Sequence, residues 1–190
     1  MTLVETIDSD KTAVIIVDML NDFVRPNGAL PVPGAENLIP NQQRILEKAR
    51  EEGLFVVYIA DHHMPDDEEF DVWGAHAVEG TKGAQVIDEI APKENEKVIP
   101  KRRYSGFFGT DLDLTLREHD IEQVIIFGVL TDICVNYTSA GATARGYEAI
   151  VVSDAVSSND EEDHRFALKH MQKVHDTEVV TTEELLAAMS

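Results

Sequence analysis

Short β-branched runs alternate with helical patterns from one end of the chain to the other. Strand-like runs fall at Thr12–Val17, Phe55–Ala60, Lys97–Ile99, Gln123–Phe127, Ala149–Val152 and Glu178–Val180. Within them, Ala13–Val17, Val124–Phe127 and Ile150–Val152 are continuously apolar, as in a parallel sheet covered on both faces. The amphipathic stretches between them have readable ends. Pro40 sits in a first turn, Ile45, Leu46 and Ala49 make one face, and Gly53 stops that helix. Thr110 is placed to cap a helix carrying Leu112, Leu114 and Leu116. Another helix starts near Cys134 and ends at Gly146; Asp160 starts one through Phe166, Leu168 and Met171; Thr182-Glu-Glu-Leu185 starts the last. Strands alternating with helices predict a three-layer, doubly wound, Rossmann-like α/β fold with right-handed crossovers. The long irregular stretch Asp61–Lys82 is rich in His, Asp and Gly, and loops of that length in compact domains are usually functional.

Composition narrows the function classes. At 190 residues the chain suits one well-buried domain, residues 1–190, and would be cramped as two. A hydrophobic content of 43% excludes global disorder. The net charge of −20 argues against nucleic acid, because phosphate binding needs clustered Lys and Arg. The acids are spread along the chain, as in Glu51-Glu52, Asp66–Glu69 and Asp160–Asp163, and read as a solvated surface that resists aggregation. A salt-rich cytoplasm is a sharper reading of that charge, although lysine remains as frequent as arginine. One cysteine cannot form an internal disulfide, and the first residues, Met1–Asp8, lack the basic and apolar regions of a signal peptide. No apolar run approaches the length of a membrane span. A reducing cytoplasm and no membrane partner are expected.

Parallel α/β sheets place their sites outside the carboxyl ends of the strands. Asp18 follows the first strand; Asp61, His62 and His63 follow the second; Lys101 follows the third; the turn Gly128–Thr131 and Cys134 follow the fourth. Cys134 falls in a predicted first helical turn, where unpaired amides and the dipole favour a thiolate nucleophile. A buried structural thiol is the competing reading. Asp18 could cap a turn, but a carboxylate directly after five apolar residues is costly to bury without a purpose. Lys101 opens the basic triplet Lys101-Arg102-Arg103, which could simply be solvated. Asp61, His63 and His76 offer a carboxylate and two imidazoles, a set suited to Zn²⁺, or to Fe²⁺ or Mn²⁺, with positions left for water or ligand. A polar loop of hydrogen-bonding histidines is the alternative. His62 and His63 are adjacent, so only one readily shares a side with Asp61. His119, His164, His170 and His175 fall on helices or near their ends and read as surface residues.

Four segments carry a resemblance. They are Ile16-Val-Asp18-Met-Leu-Asn-Asp22-Phe23, Asn27–Pro33, Lys101-Arg-Arg-Tyr104-Ser-Gly-Phe107 running on to Leu112, and Gly128-Val-Leu-Thr131-Asp-Ile-Cys134-Val135. With these the chain resembles the isochorismatase-like family of cysteine hydrolases over nearly its whole length. The resemblance implies a catalytic triad of Asp18, Lys101 and Cys134 and a six-stranded, mostly parallel sheet. It also implies a cis peptide before Leu130, and frequent homo-oligomers. Backbone amides at Leu130 and Cys134 would hold the oxyanion. Within the family, Asp61, His63 and His76 are similar to the metal site of nicotinamidases, while the loop Met64–His76 looks like archaeal members assigned to N-carbamoylsarcosine amidase activity. His62 stands where many nicotinamidases have tryptophan, and Asp67 lies near where they carry a further histidine. Phe23, Trp73 and Tyr104 are the candidate walls for a heteroaromatic ring, and Arg102 or Arg103 the candidate clamp for a substrate carboxylate. The expected activity is hydrolysis of a small carboxamide, nicotinamide first, through a thioester. The alternatives are an N-carbamoylsarcosine amidase, an isochorismatase acting on a vinyl ether, and a non-catalytic member that keeps the fold.

Overall fold

A computed structural model describes residues 7–189. The segment Met1–Thr6, on which most of the signal-peptide expectation rests, lies outside the described residues. The strands are β1 (Thr12–Val17), β2 (Phe55–Asp61), β3 (Lys97–Lys101), β4 (Gln123–Val129), β5 (Glu148–Ser157) and β6 (Glu178–Val180). The helices are α1 (Asn21–Val24), α2 (Ile39–Glu51), α3 (Phe70–Trp73), α4 (Leu112–Glu118), α5 (Asn136–Thr143), α6 (Glu161–His170) and α7 (Thr182–Ala188). The six strands form one sheet in the order β3-β2-β1-β4-β5-β6, and every pairing is parallel. Strand order reverses direction between β1 and β4, which makes the crevice beyond their carboxyl ends the switch point where such folds bind ligands.

The central strand explains the architecture. Every position of β1 is buried, so both faces of the sheet must be covered. On α2 the buried stripe is Ile45, Leu46 and Ala49, and each large aliphatic side chain so buried contributes about 1.5–3 kcal/mol. Gln42 shares that stripe and is tolerated because its Nε2 donates to the Ala155 carbonyl of β5 at 2.9 Å. β3 sits at the sheet edge, where Pro100 can lack an amide donor without breaking a ladder. Gly128 has φ 127°, and a Cβ there would lie 2.0 Å from the Val17 carbonyl oxygen. Only glycine lets β4 approach β1 this closely, one residue before Asp18. No helix among the described residues is long and apolar enough to cross a membrane.

Several boundaries differ from the sequence reading. β2, β3 and β4 run one or two residues further, because residues taken to follow the strands still pair: Asp61 is the register partner of Lys101, and Gly128 that of Val17. β5 extends to Ser157 past the polar pair Ser153-Asp154, with a register shift against β4 between Ile126 and Gly128. The N-cap of α4 is Asp111, although Thr110 Oγ1 still accepts from the Leu112 amide at 3.3 Å. Asp160 caps α6 as read, accepting from the amides of Glu162 and Asp163. α7 is capped by Thr181, which forms a capping box with Glu184. Cys134 is not in the first turn of an α-helix: Thr131–Val135 is a π-helical turn, and α5 begins at Asn136. Such wide turns concentrate at functional sites.

Candidate active site

The ends of β1, β2, β3 and β4 converge on one buried group. Asp18 follows β1 in a left-handed conformation, φ 50°, uncommon for a residue with a side chain and better tolerated by aspartate than by most. Its Oδ1 accepts from the Asp61 amide at 2.8 Å, which locks the carboxylate across the gap between β1 and β2. Lys101 ends β3, where period-two alternation turns Ile99 and Lys101 inward and Val98 and Pro100 outward. Its side chain is 0% exposed, and Nζ reaches Asp18 Oδ2 at 2.8 Å, Asp61 Oδ1 at 2.5 Å and Cys134 Sγ at 3.5 Å. The thiol, one carboxylate oxygen of Asp18 and one of Asp61 lie within 4.8 Å of one another. The Val129–Leu130 peptide just before this turn is cis.

Burial and charge set the resting protonation. Burial would lower the Lys101 ammonium, but Asp18 and Asp61 outweigh it and hold the lysine well above its ordinary range. Asp61 is held below the usual carboxylate range against its burial, chiefly by Lys101. Asp18 is pushed up to about 7 by burial and then by the charge of Asp61. The thiol of Cys134 is raised well above its ordinary value by burial, which Lys101 only partly offsets. The expectation of a resting thiolate is therefore corrected. The lysine acts in the expected direction, but desolvation in a 5%-exposed position is larger.

Asp61 joins this group to a second one. While Oδ1 faces Lys101, Oδ2 lies 3.6 Å from His63 Nε2 and 4.0 Å from His76 Nε2. Glu69 completes the cluster: one ligand atom from each of Asp61, His63, Glu69 and His76 lies within 4.8 Å of the others. His76 Nδ1 sits 2.8 Å from the Gly74 carbonyl oxygen, which makes Nδ1 the donor and leaves Nε2 as a lone-pair nitrogen. His63 Nε2 is buried and has no hydrogen-bond partner, an orphaned acceptor aimed into a cluster of oxygen and nitrogen ligands. The donor set fits a divalent metal such as zinc.

A cavity opens over Cys134. Phe23, Trp73 and Tyr104 all line it, together with Leu130, His76 and Glu69. Trp73 Nε1 donates to Tyr104 Oη at 3.1 Å, so two of the walls brace each other. Arg103, expected to clamp a carboxylate, points elsewhere: its Nη1 donates to Asp67 Oδ1 at 3.1 Å, and Arg102 Nε donates to Asp67 Oδ2 at 2.7 Å. The acidic run Asp66–Glu69 is likewise not all solvated, because Asp67 is buried and Glu69 turns into the cavity. Glu69 was not singled out in the sequence. Its signal was only its place in the loop between His63 and His76. Asp22 was also missed as a brace: Oδ2 accepts from the Ala77 amide at 2.8 Å, beside His76. Among the remaining histidines, His119 is exposed, but His164, His170 and His175 are half-buried, and His164 Nδ1 lies 2.8 Å from Thr131 Oγ1.

The fold and the site define a class: a three-layer α/β protein with a buried acid–lysine–thiol group at its switch point. The chain belongs to the isochorismatase domain family, a family of hydrolases, which matches residues 12–184. It is similar to the crystal structure of N-carbamoylsarcosine amidase from Thermoplasma acidophilum, at 39% identity and TM-score 0.84 over 91% of this chain and 97% of that one. It is similar to nicotinamidase PncA from Bacillus subtilis, at 34% identity and TM-score 0.83 over 90% of this chain and 99% of that one. A pyrazinamidase of Pyrococcus horikoshii, solved in complex with zinc, is 34% identical with TM-score 0.84 over 90% of this chain and 99% of that one.

Proposed function

We propose that this protein is a cysteine-dependent amidohydrolase that converts nicotinamide to nicotinate and ammonia, with residues 1–190 acting as one catalytic domain. One observation carries the choice of substrate: the cavity over Cys134 has aromatic walls, reaches His76 and Glu69, and among its described lining residues has no arginine or lysine. That lining suits a flat, neutral ring, and the likeness to the Bacillus subtilis nicotinamidase supports it. A cytoplasmic homo-oligomer acting on a small amide is the setting this reading expects.

In the proposed reaction Asp18 takes the Cys134 proton as the sulfur bonds to the carboxamide carbon. The carbonyl electron pair moves to oxygen, where the backbone amides of Leu130 and Cys134 hold it. Collapse breaks the C–N bond, Asp18 returns its proton to the departing ammonia, and a thioester remains. Asp18 then takes a proton from water as the water oxygen attacks the thioester. The C–S bond breaks, the acid leaves, and Asp18 passes the proton it took from water to the Cys134 thiolate. A carboxylate near neutrality can both accept and return that proton at physiological pH, and Lys101 stabilises each anion as it forms. Asp61, His63, Glu69 and His76 would hold the metal, which when bound supplies a Lewis-acid anchor for a ring nitrogen or a water.

Protein purified without a histidine tag is expected to carry near-stoichiometric divalent metal, lost in His63→Ala, by elemental analysis. Full activity on every amide after stringent chelation would remove the metal from the function.

The likeness to the Thermoplasma amidase favours a second reading, hydrolysis of N-carbamoylsarcosine. That substrate is anionic and needs a cation, whereas Arg102 and Arg103 are both bound to Asp67. On the nicotinamide reading, His76→Ala damages turnover by removing the ring anchor, while Arg102→Ala and Arg103→Ala matter less, because each leaves Asp67 its other arginine. A kcat/KM for nicotinamide far below that for N-carbamoylsarcosine, in metal-replete protein, reverses the choice.

A further inference from the structure

Asp67 is a buried charge with no place in the reaction above. It belongs to an acidic run whose other members Asp66 and Glu68 are exposed, yet its own side chain is 0% exposed. Four donors converge on it. His63 Nδ1 lies at 3.2 Å and Arg102 Nε at 2.7 Å from Oδ2, while Arg103 Nη1 and the Glu69 amide each lie at 3.1 Å from Oδ1. Burying a carboxylate is expensive unless it is fully paired, so this degree of satisfaction marks a group kept ionised.

The two histidine contacts at this site point in opposite directions. A carboxylate against His63 Nδ1 makes that nitrogen the proton donor and leaves Nε2 with its lone pair. Nε2 is the buried, unpartnered atom that faces Asp61 Oδ2. The second contact of Asp67, to the Glu69 amide, fixes the backbone of another member of the same cluster.

We infer that Asp67 is the positioning residue of the metal cluster, setting the tautomer and ring orientation of His63 and the approach of Glu69, with Arg102 and Arg103 as its counter-charges. This rests on the metal reading above and assigns the two arginines to the metal side of the site. The triplet Lys101-Arg102-Arg103 then serves both clusters: Lys101 meets Asp18, Asp61 and Cys134, and its two successors meet Asp67.

The test is zinc affinity of metal-stripped full-length protein, measured by competition with a chromophoric chelator. Asp67→Asn keeps the shape and an acceptor oxygen but not the charge, and is expected to weaken zinc about tenfold. Asp67→Ala is expected to weaken it by about 10–100-fold, the usual range for such outer partners. The visible bands of the Co²⁺-substituted protein should shift in Asp67→Asn, which a merely structural role would not produce. Zinc lost in His63→Ala, but bound with wild-type affinity and an unchanged Co²⁺ spectrum in Asp67→Asn, overturns the role of Asp67 alone. Zinc bound equally by wild type and His63→Ala overturns the metal site and this inference with it.

Discussion

Cys134→Ala and Cys134→Ser are expected to abolish amide turnover, by about 10⁴-fold or more, as removal of a covalent nucleophile does elsewhere. The serine variant is the sharper of the two. It keeps a hydroxyl in nearly the same place, but burial that already raises the thiol leaves an alcohol far harder to ionise. Neither change opens a large cavity, since only a sulfur atom is lost or replaced, so far-UV circular dichroism and Tm should stay near wild type. Ammonia release within tenfold of wild type in both variants, on the best amide found, would take Cys134 out of the mechanism.

Asp18→Asn and Lys101→Ala should each cost several orders of magnitude in kcat/KM, and the double variant little more, because groups that act as one unit lose function together. Their stabilities should differ. Asparagine at position 18 removes one of two neighbouring carboxylate charges and retains an oxygen for the Asp61 amide. Alanine at position 101 strands Asp18 and Asp61 without their shared cation, and breaking a buried pair of this kind costs about 3–5 kcal/mol. Thermal melts and kinetics on the same samples check both statements. Independent, additive kinetic losses would make one of the two residues a structural element only.

The parallel sheet was legible because Ala13–Val17 of β1, Val124–Phe127 of β4 and Ile150–Val152 of β5 are apolar without interruption, a pattern that admits few other folds. The residues Asp18, Asp61, Lys101 and Cys134 were legible from strand ends, since topology carries all of them to one edge. Long-range pairing decided what stayed hidden. Lys101 reads as the first of three basic residues, and only the inward phase of an edge strand separates it from Arg102 and Arg103. Asp67 and Glu69 sit in a run that looks like a wet surface, and nothing local indicates that the loop folds back over His63. The state of the thiol was misjudged for a related reason. A helix start can be inferred from neighbouring residues, whereas desolvation depends on packing from Leu130, Val135 and the strands behind them.

The sheet order also governs when these groups can meet during synthesis. Thr12 and Gln123 are register partners of β1 and β4, yet they stand 111 residues apart. At ordinary elongation rates, β1 leaves the ribosome on the order of ten seconds before its second neighbour exists. In that interval the most apolar strand of the protein has β2 on one side and an open edge on the other, the kind of edge that recruits foreign strands. Closing it brings Val17 against Gly128 and, in the same movement, seats Cys134 beside Lys101 and Asp18. The thiol therefore enters its reactive surroundings only when the nascent chain has ceased to present that edge.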